Sequence, residues 1–405
     1  MKKIMLIILD GIGDRPAEDL NWQTPLQAAS KENLNFFAKN GITGQMDPID
    51  SGIRAGSDTA HLAILGYDPY KVYPGRGPFE ALGLGMELKP GDLAFRANFA
   101  TVDEQKNVID RRAGRIDSGT GELASSINIK IEDVDFIVKE GVEHRAALVM
   151  RGPGLSANIT DADPHDAGLQ VRTVSAKSAD AEKTARLLNM YIERSYQILK
   201  DQPVNRERVK ARKLPANIIL PRGPGMVPDL ESFEKKYNLK SACVVGIPLI
   251  AGICKLAGIT PIKAEGATGG LNSNFQSKIE TAFNALTDHD FVLVNLKAPD
   301  VAGHDGNANK KKEVIERIDM ALAYLRSHIS KDTILAITGD HSTPCSVKDH
   351  SGDPVPLLIF GHGIRRDSVK EFDEIAVMNG ALNIRGMQLM NILMNLSDRS
   401  EKFGA

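Results

Sequence analysis

The stretch Ile4-Met5-Leu6-Ile7-Ile8-Leu9-Asp10-Gly11 decides the fold class. Its six apolar residues leave no polar face, so the run predicts a β-strand covered on both sides rather than one with a wet face. It stops at an aspartate. The pattern returns twice, in Phe291-Val292-Leu293-Val294-Asn295-Leu296 shortly before Asp300, and in Thr333-Ile334-Leu335-Ala336-Ile337-Thr338 before Gly339-Asp340. In open α/β sheets, ligands bind beyond the carboxyl ends of the strands. Carboxylates delivered there repel one another unless positive charge lies between them. Two of the three bring histidines, in Asp300-Val301-Ala302-Gly303-His304 and Asp340-His341. Aspartate and histidine at one sheet edge form a metal-ligand set.

Outward from these runs, strand and helix alternate. Helices are predicted over 26–38, with Thr24 as N-cap, Pro25 at the first position and Asn40-Gly41 closing it, and over 58–65. Beyond Pro228 come a strand at 242–246, helices at 249–257, 277–286 and 311–328, an extended piece beginning at Ile262 and a strand at 356–360. Alternation of this kind predicts an α/β fold, a mostly parallel sheet with helices on both faces. The Gly- and Pro-rich segments 73–88 and 221–228 read as crossings between domains. The part between them has short strands at 94–102 and 146–150, many arginines and a long helix at 180–199. The expected organisation is a discontinuous core, 1–77 with 229–405, and an inserted smaller α/β or α+β domain at 78–228.

At 405 residues the chain is long enough for two or three domains. A net charge of -2 gives no support for nucleic-acid or membrane-surface binding, so an anionic substrate must be met by a local basic cluster. The three cysteines form no C-x-x-C pair, which fits a reducing compartment. The apolar run after Lys2-Lys3 is too short for a signal peptide, and no window approaches a membrane span. A cytoplasmic protein with a small-molecule substrate is expected; oligomeric state stays open, and a homo-oligomer is compatible.

Asp300 and His304 are four apart, so one helical turn puts both on one face. Asp340 and His341 stand at a strand end, and His350 follows in the next loop. With Asp10 they make three carboxylates and three histidines, with no thiolate. Such an oxygen and nitrogen set suits Mn2+, Zn2+ or Mg2+ in a paired arrangement. Ser57, in Gly56-Ser57-Asp58-Thr59-Ala60-His61, is the candidate nucleophile at a helix start, where free N–H groups favour negative charge. The plainer reading is an N-cap, although Ala60 stands where a capping box wants Glu or Gln.

Asp10-Gly11, the Ser57–His61 segment, Asp300-x-x-Gly303-His304, Gly339-Asp340-His341 and His350 resemble the motif series of the alkaline phosphatase superfamily. With Tyr73-Pro74-Gly75-Arg76-Gly77-Pro78-Phe79-Glu80 and the inserted domain, the chain resembles the archaeal-type cofactor-independent phosphoglycerate mutases along nearly its whole length. That resemblance implies an alkaline-phosphatase-like core and two divalent metal ions, Mn2+ ahead of Mg2+, Zn2+ or Co2+. Residues matching Asp300, His304 and His350 hold one ion, and those matching Asp10, Ser57, Asp340 and His341 the other. It also implies a phosphoserine at Ser57 and interconversion of 2-phosphoglycerate and 3-phosphoglycerate without bisphosphoglycerate.

The insert is then expected to supply groups for the substrate's carboxylate and phosphate. Asp110, Arg111, Arg112, Arg115, His144, Arg145 and Arg151 are the densest candidates, with Arg96 and Arg222 behind them. A lysine that touches substrate in bacterial relatives has no clear match, and Lys255 or Lys263 is offered in its place. Lys310-Lys311-Lys312 reads as the solvated start of a helix. The competing readings are a metal-dependent phosphatase or phosphodiesterase, a phosphopentomutase, and a non-catalytic metal-binding module. A sulfatase would want a cysteine where Ser57 stands.

Overall fold

The computed structural model describes residues 1–228, 230–402 and 404. Lys3–Leu9 lies in an eight-stranded sheet, flanked in parallel by Phe291–Leu296 and Thr333–Thr338. Ser241–Val244 and Thr260–Pro261 extend it on the Phe291 side. On the other side come Val355–Phe360, Ile42–Asp47 and Leu382–Arg385. Only Val355–Phe360 runs against its neighbours. Residues 4–9 are all buried, as their unbroken apolar run requires. Met5, Ile7 and Leu9 join one core with helices Glu32–Lys39, Phe275–Ala285 and Ala308–His328. Ile4, Leu6 and Ile8 point to the other face, where Gly386–Leu396 packs against Thr333–Thr338.

The register positions the chemistry. Leu9 is level with Leu296, and Ile8 with Thr338. Counting on in this register, Asp10, Lys297 and Asp340 leave the sheet side by side.

The chain divides into two compact units, Met1–Tyr73 with Leu230–Ala405, and Pro74–Asp229. The second unit has its own antiparallel sheet: Val108–Asp110, Leu93–Val102, Arg145–Arg151, Val134–Glu140 and Ile129–Ile131, with Ile218–Met226 also paired to Leu93–Val102. Helix Glu182–Lys200 covers it, and Tyr191 stacks on Phe136 with ring centroids 4.3 Å apart.

Two local expectations are corrected and a third is sharpened. The 26–38 helix is two helices, Pro25–Ala28 and Glu32–Lys39. Thr24 and Gln27 form the expected kind of cap on the first, but the Asp319 carboxylate accepts from the backbone N–H groups of Asn33 and Leu34 and starts the second. The chain crosses between the two units at Tyr73/Pro74, inside the first punctuated segment, and at Asp229/Leu230, just after the second, but the segments themselves are packed structure. Residues 76–83 form a helix whose Gly77 lies so close to the sheet that a Cβ would stand 2.0 Å from the Ala94 carbonyl oxygen. Pro221 to Met226 continue a strand, opposite a register shift at Ala94/Arg96. Finally, Lys311 is wholly buried, not solvated. It donates to the Gly13 and Thr343 carbonyls and to Asp14 Oδ2, tying two loops together. Among the described residues, no helix is long and apolar enough to cross a membrane.

Candidate active site

At the carboxyl edge of the larger sheet the chain must bring several loops close together. Gly11 makes this feasible: its φ is +66°, and a Cβ there would stand 2.5 Å from Asp300 Cβ and 2.7 Å from Thr343 Oγ1. Asp300 and His304 share helix Ala298–Asp305, with His304 Nε2 3.5 Å from Asp300 Oδ1. His350 Nε2 reaches the same oxygen, also at 3.5 Å. Asp10, Asp340 and His341 make a second group, and within each group the candidate ligand atoms lie within 4.8 Å of one another.

The hydrogen bonds fix the histidine tautomers. His304 Nδ1 faces the Lys348 carbonyl at 3.0 Å, and His350 Nδ1 faces the Ala55 carbonyl at 2.7 Å. A carbonyl only accepts, so both Nδ1 atoms carry protons and both Nε2 atoms face Asp300, where a neutral ring would offer its lone pair to a cation. Thr343 Oγ1 donates to Asp300 Oδ1 at 2.7 Å and so accepts from His341 Nδ1 at 3.0 Å. His341 Nε2 is left as a lone pair 3.1 Å from Ser57 Oγ. Imidazoles oriented through Nδ1 are how ligating histidines are held. Burial pushes the His341 pKa down to about 3, keeping the ring neutral at ordinary pH.

Ser57 is the first residue of helix Ser57–Ile64, and Gly56 occupies the cap position. Thr59 Oγ1 accepts from the Gly56 N–H and donates to the Gly56 carbonyl, so the cap does not need the serine hydroxyl. Ser57 Oγ instead lies between His341 Nε2 and Lys297 Nζ, which donates to it at 3.3 Å. The same ammonium is 2.8 Å from Asp10 Oδ1 and 2.7 Å from Asp300 Oδ2. Burial works against its charge, yet Asp10, Asp300 and Asp340 hold its pKa above the ordinary lysine value. Burial and then Asp340 push Asp10 upward. Burial acts on Asp300 in the same direction, but His350 and Lys297 overcome it and hold that carboxyl well below the usual range.

These groups fit divalent cations on a direct observation. Asp340 Oδ1 accepts from the Gly11 and His341 N–H groups, both at 3.0 Å, while Oδ2 is buried with no hydrogen-bond partner. A buried, unpaired carboxylate oxygen is costly unless positive charge meets it. Neutral imidazoles and carboxylates without thiolate are the donors that Mn2+, Mg2+ and Zn2+ share.

The second unit carries a cavity of about 390 Å³ lined by Arg96, Asn98, Arg111, Arg112, Arg115, Glu143, His144, Arg145 and Arg222. Ala113, Gly114 and Arg115 all have positive φ, and Asp110 accepts from the Arg112 and Gly114 N–H groups. That tight turn crowds three arginines onto one wall. Burial and neighbouring cations pull Arg96 down to about 10 despite Glu80. Arg151 is elsewhere: it pairs with Asp92 at 2.7 Å and lines a different cavity. Asp110 serves the turn and is not among the lining residues.

A family model described as 2,3-bisphosphoglycerate-independent phosphoglycerate mutase matches residues 38–205. An enzyme of that name from Thermoplasma volcanium is 54% identical over 100% of this chain and 99% of its own length. Another, from Methanocaldococcus jannaschii, is 51% identical over the same shares. The chain belongs to the 2,3-bisphosphoglycerate-independent phosphoglycerate mutase family. Among solved structures, the cofactor-independent phosphoglycerate mutase of Thermoplasma acidophilum superposes with a TM-score of 0.77 at 46% identity, covering 98% of this chain and 100% of its own. A Pyrococcus horikoshii protein gives 0.87 at 40% identity, covering 100% and 99%.

Around the candidate nucleophile Ser57, the sequence reading missed Lys297 and Asn295, and it gave His61, part of the quoted Ser57–His61 segment, no role of its own. Asn295 Nδ2 donates to Asp10 Oδ2 at 2.8 Å and lies 3.3 Å from His61 Nε2, while His61 Nδ1 faces the Ser57 carbonyl at 2.7 Å. The available signal was a polar residue, Asn295, inside an apolar strand, with Lys297 just beyond it.

Proposed function

We propose that this chain interconverts 3-phosphoglycerate and 2-phosphoglycerate through a phosphoserine at Ser57, with two divalent metal ions and without bisphosphoglycerate. The observation that carries the reading is the setting of Ser57 Oγ, released from capping and poised between His341 Nε2 and Lys297 Nζ. Asp300, His304 and His350 would hold one ion, and Asp10, Ser57, Asp340 and His341 the other, with Mn2+ the first choice. Such ions, when bound, make a serine hydroxyl more acidic and neutralise phosphate oxygens.

The side chains do the rest. Lys297 donates to Ser57 Oγ, and that hydrogen bond strengthens as the oxygen gains negative charge. Ser57 Oγ loses its proton as the Oγ–phosphorus bond forms and the bond from phosphorus to the substrate's C3 oxygen breaks, and the C3 oxygen takes up a proton in exchange. The C2 hydroxyl then loses a proton and attacks the phosphoserine, and Ser57 Oγ leaves and regains a proton, restoring the hydroxyl. No net water or electron is consumed. The arginine-lined cavity retains the glycerate carboxylate between the two halves, a task suited to guanidinium forks. On this reading the unit Met1–Tyr73 with Leu230–Ala405 transfers the phosphoryl group, and Pro74–Asp229 chooses the substrate. Three free, buried cysteines suit a reducing compartment such as the cytoplasm.

The test is an enolase-coupled assay from 3-phosphoglycerate with Mn2+ and no added bisphosphoglycerate, run beside a free-phosphate measurement. The mutase forms 2-phosphoglycerate with little phosphate. Phosphate as the main product would make the chain a phosphatase.

A further inference from the structure

We propose that Asp163 is a positioning residue that sets the aim of two arginines in the basic cavity, Arg111 and Arg222. The inference rests on reading that cavity as the seat of the substrate's carboxylate. Asp163 is fully buried and is not among the cavity's lining residues, so it acts only through others. Arg111 makes a fork to it, Nε to Oδ1 at 2.9 Å and Nη2 to Oδ2 at 2.5 Å. Arg222 Nε stands 3.7 Å from the same Oδ2, buried and without a hydrogen-bond partner of its own. One carboxylate thus faces two guanidinium groups that come from distant parts of the chain.

Asp163 is itself braced. Its Oδ1 accepts from the His165 N–H at 2.9 Å. On either side of Arg222, the Ala162 N–H donates to the Pro221 carbonyl at 3.2 Å, and the Gly223 N–H donates to Asp161 Oδ1 at 2.8 Å. The turn carrying Asp163 is therefore stitched to the strand carrying Arg222. The carboxylate fixes two long side chains that would otherwise lose rotamer freedom when an anion arrives.

Charge and positioning predict opposite signs, which makes the proposal testable. Removing a negative charge beside an anion site should tighten binding if net charge governs it. Loss of positioning should weaken it. In the full-length, Mn2+-loaded enzyme, Asp163→Asn is expected to raise the KM for 3-phosphoglycerate roughly 10- to 100-fold while kcat stays within about threefold. Calorimetric titration with 3-phosphoglycerate should show the same loss of affinity. Asp163→Glu keeps the charge but displaces the carboxylate; it too should raise KM, and it serves alone if the asparagine variant does not fold. An unchanged or lowered KM in the folded variants overturns the proposal. Arg222→Ala separates the two levels. A raised KM there with a normal KM in the Asp163 variants leaves the cavity reading standing and removes the positioning role. An unchanged KM in all three removes both.

Discussion

Replacing Lys297 by methionine removes a charge 3.3 Å from Ser57 Oγ while keeping much of the side chain's volume. A unit positive charge at that distance interacts with a full negative charge by about 5 kcal/mol at an effective dielectric of about 20. Only the part that grows between ground state and transition state affects rate. Deleting a single donor to a developing oxyanion typically costs about 3–4 kcal/mol, so kcat should fall roughly 10²- to 10³-fold. The same ammonium also neutralises Asp10 and Asp300, at 2.8 and 2.7 Å. Its removal leaves those carboxylates more attractive to a divalent cation, so Mn2+ affinity should hold or rise. The assay is the enolase-coupled rate at saturating Mn2+ and substrate, with Mn2+ affinity measured by titration calorimetry. A variant that binds Mn2+ more tightly and turns over at the wild-type rate would refute the reasoning. Lys297 would then be only a cation filling carboxylates in the metal-free protein.

Chelation should abolish turnover and lower the thermal midpoint, because Asp340 Oδ2 and its neighbours lose their counter-charge; Mn2+ added back should restore both, as calorimetry can follow. Lys311→Met should destabilise the fold by about 3–5 kcal/mol in urea titrations, since it strands the buried Asp14 carboxylate. Pairing it with Asp14→Asn should recover part of that loss. Glu374, pushed from 4.5 up to about 7 by burial, is favoured in its protonated form by the fold. Its contribution therefore declines as pH rises from 4.5 to about 7, by up to about 3 kcal/mol, and stays low above that. Glu374→Gln should accordingly raise the melting temperature at pH near 8 more than at pH near 5, and an equal shift at both would count against this assignment.

Much of the phosphoryl-transfer site was legible because strand and ligand share one signal. An apolar run ending in aspartate names both a buried parallel strand and the edge where its carboxylate emerges, and Asp10, Asp300 and Asp340 all follow it. Lys297 and Asn295 were not legible, since their meaning depends on register: only when Leu9 is level with Leu296 do they face Asp10. Lys311 looked solvated because three consecutive lysines usually are, yet helix geometry turns the middle one inward onto Asp14. The arginines were found as a group but not sorted. What separates Arg111 from Arg151 is their partners, Asp163 and Asp92, which the antiparallel sheet brings in from far along the chain. Glycine and proline around Gly77 and Gly225 marked close packing as well as the nearby crossings between the units. A Cβ at Gly225 would stand 1.9 Å from the Pro74 carbonyl oxygen.

In the proposed mechanism Ser57 carries the phosphoryl group between the two hydroxyls of one glycerate. Rapid acid quench of the Mn2+-loaded enzyme during turnover of 3-phosphoglycerate, followed by peptide mass spectrometry, tests it directly. One phosphoryl group is expected on the peptide containing Ser57, formed no more slowly than 2-phosphoglycerate appears, and absent from an inactive Ser57→Ala variant. A Ser57→Ala enzyme that still forms 2-phosphoglycerate, with no phosphopeptide in the wild type, would contradict it.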